Sequence, residues 1–75
     1  MKYAVYECIN GNFFLKSEHS TPQSAIVKFH DECKGLWNSS DVITGMVEII
    51  DENGDVYNNG TRYKEFITHP ETVEE

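Results

Sequence analysis

Asn10-Gly11 sits between two apolar runs, in the stretch Cys8-Ile9-Asn10-Gly11-Asn12-Phe13-Phe14. A type I′ turn needs positive φ at both central residues, and Asn-Gly meets that need at least steric cost. The pair predicts a hairpin with strands from Lys2 to Ile9 and from Asn12 to His19. A two-residue turn also sets the register: Ile9 faces Asn12, Cys8 faces Phe13, Glu7 faces Phe14, Tyr6 faces Leu15, Val5 faces Lys16 and Ala4 faces Ser17. Apolar residues fall on both parities of both arms, although a lone hairpin has one face to bury.

Ser20-Thr21-Pro22 opens a helix. Thr21 can cap it, and Pro22 suits the first helical position, where an N–H would have no partner anyway. Ala25, Ile26, Phe29, Cys33, Leu36 and Trp37 follow at spacings of three and four, a single helical stripe. Gly35 lies inside that period, so the helix is expected to run on to Asn38 at a cost of ~1 kcal/mol. Val42 to Ile50 is a β-rich run. Asp51-Glu52-Asn53-Gly54 reads as a type I turn with Gly54 forming a bulge, and the chain returns over Asp55 to Asn58. Arg62 to Thr68 is a candidate for a short fifth strand. The expectation is one α+β domain over 1–69, with a single helix packed on an antiparallel sheet in the order ββαββ, then an acidic, disordered tail over 70–75.

Charge suggests which face of each hairpin meets the helix. In the first, Ala4, Tyr6, Cys8, Phe13 and Leu15 share an apolar face and are expected under the helix. In the second, Val47, Ile49 and Tyr57 share the face without a carboxylate. The opposite side then gathers Tyr3, Val5, Ile9, Phe14, Met46, Ile50 and Val56 around Glu7 and Glu48. That half-apolar surface is the candidate interaction face. It could be covered by Tyr63, Phe66 and Ile67 of the C-terminal segment, by a second copy of the chain, or by another protein.

Seventy-five residues bury only about 60% of the surface of the unfolded chain, so support from a partner would be useful. Thirteen acidic residues against six basic ones give a net charge of −7. Nucleic acid is then a poor ligand, since affinity for it comes from Lys and Arg on phosphates. No basic segment followed by an apolar one marks a signal peptide, and no run approaches the ~20 apolar residues needed to span a bilayer. A cytoplasmic protein with Cys8 and Cys33 as free thiols is expected, with no membrane contact.

No residue cluster amounts to a catalytic or cofactor motif. Asp51, Asn53 and Asp55 imitate the start of a calcium loop, but Val56 stands where that loop needs Gly and Arg62 where it needs a bidentate Glu. His30 and Cys33 are three apart on the helix, with Cys8 and His19 as conceivable further zinc ligands. The last two lack metal-site spacing, and Cys33 belongs to the apolar stripe. The same His30 and Cys33 have no orienting group or oxyanion hole to make a nucleophile and base. The expectation is no cofactor, no metal and no enzymatic activity. Trp37 continues the stripe and is expected in the core.

The runs AIVKFHDECKGLWNSSDV, VEIIDENGDVYN and YKEFITHP resemble a group of small uncharacterised proteins of Gram-positive, often gut-dwelling bacteria and their phages. The shared features are an alanine-headed helix ending in Leu-Trp, a hairpin with an acidic turn and a Glu-x-Ile-x-His close. The resemblance spans residues 22 to 70. It implies a short accessory, phage-borne reading frame and assigns no site. The functional expectation is a small protein-interaction module, homodimeric through the sheet face away from the helix. The alternative is a phage-type acidic inhibitor that mimics nucleic acid on a host enzyme.

Overall fold

The computed structural model describes residues 2–39 and 41–69. Strands β1 (Tyr3–Ile9) and β2 (Asn12–His19) precede helix α1 (Pro22–Trp37), and β3 (Thr44–Ile50) and β4 (Lys64–Thr68) follow it. The strands form one antiparallel sheet in the order β2-β1-β3-β4. The architecture is α+β in the order ββαββ. The expected tail over 70–75 lies outside the described residues.

The first turn has φ of 49° at Asn10 and 91° at Gly11, the left-handed pair that a type I′ turn requires. Register follows the expectation from Ile9↔Asn12 back to Tyr6↔Leu15. It then slips at a bulge, because Val5 pairs with Ser17 and Ala4 with Glu18, leaving Lys16 as the extra residue. Asn10 also ties the turn to β3. Its Oδ1 accepts from the N–H groups of Ile43 (2.9 Å) and Thr44 (3.2 Å), and its amide donates to the Asp41 carbonyl (3.2 Å).

Helix α1 begins as its sequence requires. Thr21 Oγ1 accepts from the Ser24 N–H at 3.3 Å, and Pro22 fills the first turn. The helix continues through Gly35 and is capped at Asn38, whose N–H donates to the Lys34 carbonyl at 3.0 Å.

The segment after β3 departs from expectation. The turn itself is as read: the Gly54 N–H donates to the Asp51 carbonyl (3.0 Å), and Gly54 has φ of 85°. The return over 55–58 is not a strand, and it makes only the single bridges Ile50↔Val56 and Asn58↔Arg62. The Tyr57 N–H donates to the Ile49 carbonyl at 2.8 Å, the chain steps out over 58–62, and Tyr63 rejoins Tyr57 at 3.1 Å. Asn58 and Asn59 drive the excursion by accepting from the N–H groups of Gly60 and Thr61, which turns the chain locally instead of extending it. The candidate fifth strand is therefore the fourth, β4, and it lies beside β3 at the sheet edge.

The core lies between α1 and one face of the sheet. Ala25, Phe29, Cys33 and Leu36 pack from the helix onto Val5, Val47, Ile49 and Ile67. One end is closed by aromatic rings: Tyr3 edge-on to Tyr57 (5.2 Å between centroids), Tyr57 stacked with Tyr63 (5.7 Å) and Phe29 edge-on to Tyr63 (5.5 Å).

The face assignment is half right. Val47 and Ile49 are fully buried under the helix and Tyr57 packs against that core, as expected for the second hairpin. The first hairpin is the other way round. Tyr3, Val5 and Ile9 face the helix, with Glu7 buried among them, whereas Tyr6 and Cys8 lie on the open side. The cause is pairing. β1 sits beside β3 with Val5 opposite Ile49 and Glu7 opposite Val47, and cross-strand partners share a face. The odd residues of β1 must follow the odd residues of β3, whatever charge they carry.

Candidate functional site

Among the described residues, one face of the sheet carries the helix and the other carries none. That second face carries Tyr6 and Cys8 from β1, Phe13 and Leu15 from β2, Ile50 from β3 and Phe66 from β4, with Met46 of β3 buried among them. Phe13 is 65% exposed, Leu15 50% and Phe66 64%, so large apolar side chains stand in solvent at both edges of this face. Between the edges, Cys8, Gly11, Thr44, Gly45, Met46 and Phe66 line a shallow depression of about 220 Å³. Four strands at ~4.8 Å spacing and about six residues at ~3.3 Å give a footprint of roughly 400 Å². The ion pair of Glu48 with Lys64 lies inside that footprint, so its apolar share is smaller.

The face is also balanced in charge. Lys64 Nζ lies 3.6 Å from the Glu48 carboxylate, and Lys2 Nζ lies 3.1 Å from that of Glu18. Two cations meet two anions on this side of a chain whose net charge is −7. The acid excess lies elsewhere.

Of the seven residues expected on this face, Met46, Ile50 and Val56 are on it, Val56 through its bridge to Ile50. Tyr3, Val5 and Ile9 belong to the core side. Phe14 is 47% exposed but lies opposite Glu7, on the helix side of the edge strand. Among the described residues, the C-terminal segment leaves the open face uncovered. Ile67 is fully buried in the core and Tyr63 packs against it, while Phe66 adds to the exposed surface.

Beneath the helix lies Glu7, which charge reasoning had placed on the opposite side of the sheet. Glu7 is 2% exposed and is the buried charged residue among those described. Lys16 Nζ lies 3.6 Å from its carboxylate, reaching over from the bulge of β2. On the flank of α1, Lys28 Nζ holds the Glu32 carboxylate at 2.8 Å from one turn earlier in the helix. Burial pushes the Glu7 carboxyl up to about 7, helped by the hydrogen bond and the charge of Glu32 and opposed by Lys16. Burial acts on Glu32 in the same direction, but Lys28 and the hydrogen bond from Glu7 outweigh it and hold Glu32 below the ordinary carboxylate value. The sequence signal was Lys28 and Glu32 at i,i+4 on the helix flank; nothing local linked them to Glu7.

The remaining candidates do not come together. Cys33 is buried under the helix and Cys8 lies on the opposite side of the sheet, so the two thiols are separated and free. Burial, followed by the charges of Glu65, Glu32 and Glu7, pushes the Cys33 thiol up to about 12, which leaves it protonated and a poor nucleophile. His30 is exposed, with its ring edge-on to Phe29. His19 bonds the hydroxyls of Ser17 (2.7 Å) and Ser24 (2.5 Å), joining β2 to the start of α1. Among the described residues no group of three or more His, Cys, Asp or Glu side chains could hold a metal ion. The Asp51 carboxylate accepts from the N–H groups of Asn53 and Asp55, which is turn chemistry. Trp37 corrects another expectation. It is 46% exposed, with its indole N–H donating to Glu65 at 2.6 Å and its ring against His69. Leu36 takes the core position at that end of the stripe.

No family model, curated protein or solved structure matches this chain. Among the described residues, no helix is long and apolar enough to cross a membrane.

Proposed function

We propose that this protein is a small interaction module that dimerises through the uncovered face of its sheet. The observation that carries this reading is the combination of exposed Phe13, Leu15 and Phe66 with a neutral charge balance on that face. A face carrying both signs in equal number is complementary to itself, so two copies can meet there despite the net charge of the chain. Burying Glu7 on the other side and pairing Glu48 with Lys64 removes the carboxylate repulsion that face-to-face stacking would otherwise meet. Sheets stack ~10 Å apart with their strands nearly aligned. A two-fold axis running between the sheets along the strands would lay Phe13 and Leu15 of one copy over Phe66 of the other.

Light scattering and sedimentation at several hundred micromolar test this reading on the wild type, Phe66→Glu and Phe13→Glu. The expected result is a wild-type dimer that persists at high salt, with both variants monomeric and folded. A wild-type monomer refutes it. A dimer that dissociates as salt rises transfers the contact to the charged groups, in line with acidic mimicry and not with an apolar face.

A further inference from the structure

His19, the last residue of β2, has a hydroxyl against each ring nitrogen. Ser17 Oγ lies 2.7 Å from Nε2, and Ser24 Oγ lies 2.5 Å from Nδ1. An imidazole in its neutral form has one N–H and one lone pair. One of the two hydroxyls must then donate its proton to the ring while the other accepts from it. The two serines differ in their surroundings. Ser17 is half-buried on the same strand as the ring, whereas Ser24 is exposed in the first turn of α1. In that turn Thr21 takes the N–H of Ser24 on its Oγ1 and the N–H of Ala25 on its carbonyl. The Gln23 N–H, at the positive end of the helix, is left without a partner inside the helix. A cavity of about 290 Å³ lined by Lys2, Glu18, His19 and Ser20 opens beside the ring. Lys2 and Glu18 pair at 3.1 Å, so its wall carries no net charge.

We propose that Ser24 is a nucleophile activated by His19, and that the pair cleaves short-chain, uncharged esters. Ser24 Oγ attacks the ester carbonyl carbon and gives its proton to Nδ1 of His19. The negative charge gathers on the carbonyl oxygen, and the N-terminal turn of α1 stabilises it with the Gln23 N–H as donor. The C–O bond to the alcohol then breaks. The alcohol leaves with the proton from Nδ1, and an acyl ester remains on Ser24. Water attacks that ester, loses a proton to Nδ1 and releases the acid, which restores the Ser24 hydroxyl. The cavity is at the small end for ligand sites, which limits the acyl group to a few carbons.

Ser17 is a positioning residue. By accepting from Nε2–H it selects the tautomer whose lone pair is on Nδ1, the nitrogen that meets Ser24. A hydroxyl does this without the negative charge that a carboxylate would set against the imidazolium, so turnover is slow. The site does not depend on dimerisation. His19 pairs with Tyr3, a core residue, so it lies on the helix side of the sheet and stays open when the bare face is covered.

A fluorophosphonate probe tests the nucleophile and p-nitrophenyl acetate tests the reaction, on the wild type, Ser24→Ala, Ser20→Ala and His19→Gln. Mass spectrometry of the labelled peptide should place the phosphonyl group on Ser24 in the wild type and in Ser20→Ala. His19→Gln keeps polar contacts for the hydroxyls but supplies no base, so its labelling should slow by about a hundredfold or more. Acetate release should rise with pH as His19 loses its proton, and that rise should be absent from Ser24→Ala and His19→Gln. Ser17→Ala should slow labelling, and Ser17→Thr should restore it. Circular dichroism melts establish that each variant is folded, and the site of labelling in the wild type reads the nucleophile without any variant. An unlabelled wild type, label shared equally with Ser20, or a folded His19→Gln labelled as fast as the wild type overturns the proposal.

Discussion

Phe29 and Phe66 are the same side chain on opposite sides of one sheet, so truncating each measures the two faces against a common chemistry. Phe29 is 4% exposed, wedged between α1 and the sheet with its ring edge-on to Tyr63. Removing a buried Phe leaves a cavity and costs ~3–5 kcal/mol. A domain of this size has about 4–11 kcal/mol in total, so Phe29→Ala should lose a large share of it and lower the melting temperature by roughly 12–40 °C. Phe66 is 64% exposed and keeps about a third of its surface covered, partly by Lys64, whose Nζ lies 5.4 Å from the ring centroid. That share of a full burial comes to roughly 0.5–1 kcal/mol. Urea unfolding followed by circular dichroism, at dilutions where the chain is monomeric, separates the two by the shift in midpoint at constant slope. Comparable losses for both variants would refute the picture of one packed face and one open one.

Two further substitutions and a labelling experiment probe other parts of the structure. Asn10→Ala should cost about 2–3 kcal/mol, because alanine is strained at φ of 49° and the N–H groups of Ile43 and Thr44 lose their acceptor; Asn10→Gly, relieved of strain, should recover part of that loss in the same urea assay. Native protein treated with a thiol reagent at neutral pH should label Cys8 readily and Cys33 only at the rate of unfolding, which mass spectrometry of the two peptides will resolve. Equal labelling would mean that Cys33 is not under the helix.

Local chemistry carried much of the fold. The Asn-Gly turn, the pairing from Ile9 to Leu15, the Thr21 cap, the helix through Gly35 and the bulged turn at Gly54 each depend on residues within a few positions of one another. The face of the first hairpin did not. It is set by which strand lies beside β1, and β3 begins more than thirty residues later. Reading the carboxylate as a solvent marker failed at Glu7 because its partners come from two other elements, Lys16 on β2 and Glu32 on α1. The same limit explains Trp37, which continues the helical period but swings out to Glu65 on β4. The candidate face could be read where the second hairpin alone decided it, at Met46, Ile50 and Val56, and not where β1 did.

The placement of β1 between β2 and β3 has a consequence for how the chain is made. Of the described strands the first to be made is an inner one, and its second neighbour does not exist until Ile50 has been added. Ile67, fully buried, is the last core residue among those described. A nascent chain therefore holds an exposed Val5 and an unpaired strand edge until β3 has been made, and slow, non-local strand pairing closes the sheet only once β4 has followed. Chains cut short before β4 would present that unfinished edge to one another, so a premature stop should yield aggregate and not a smaller folded domain.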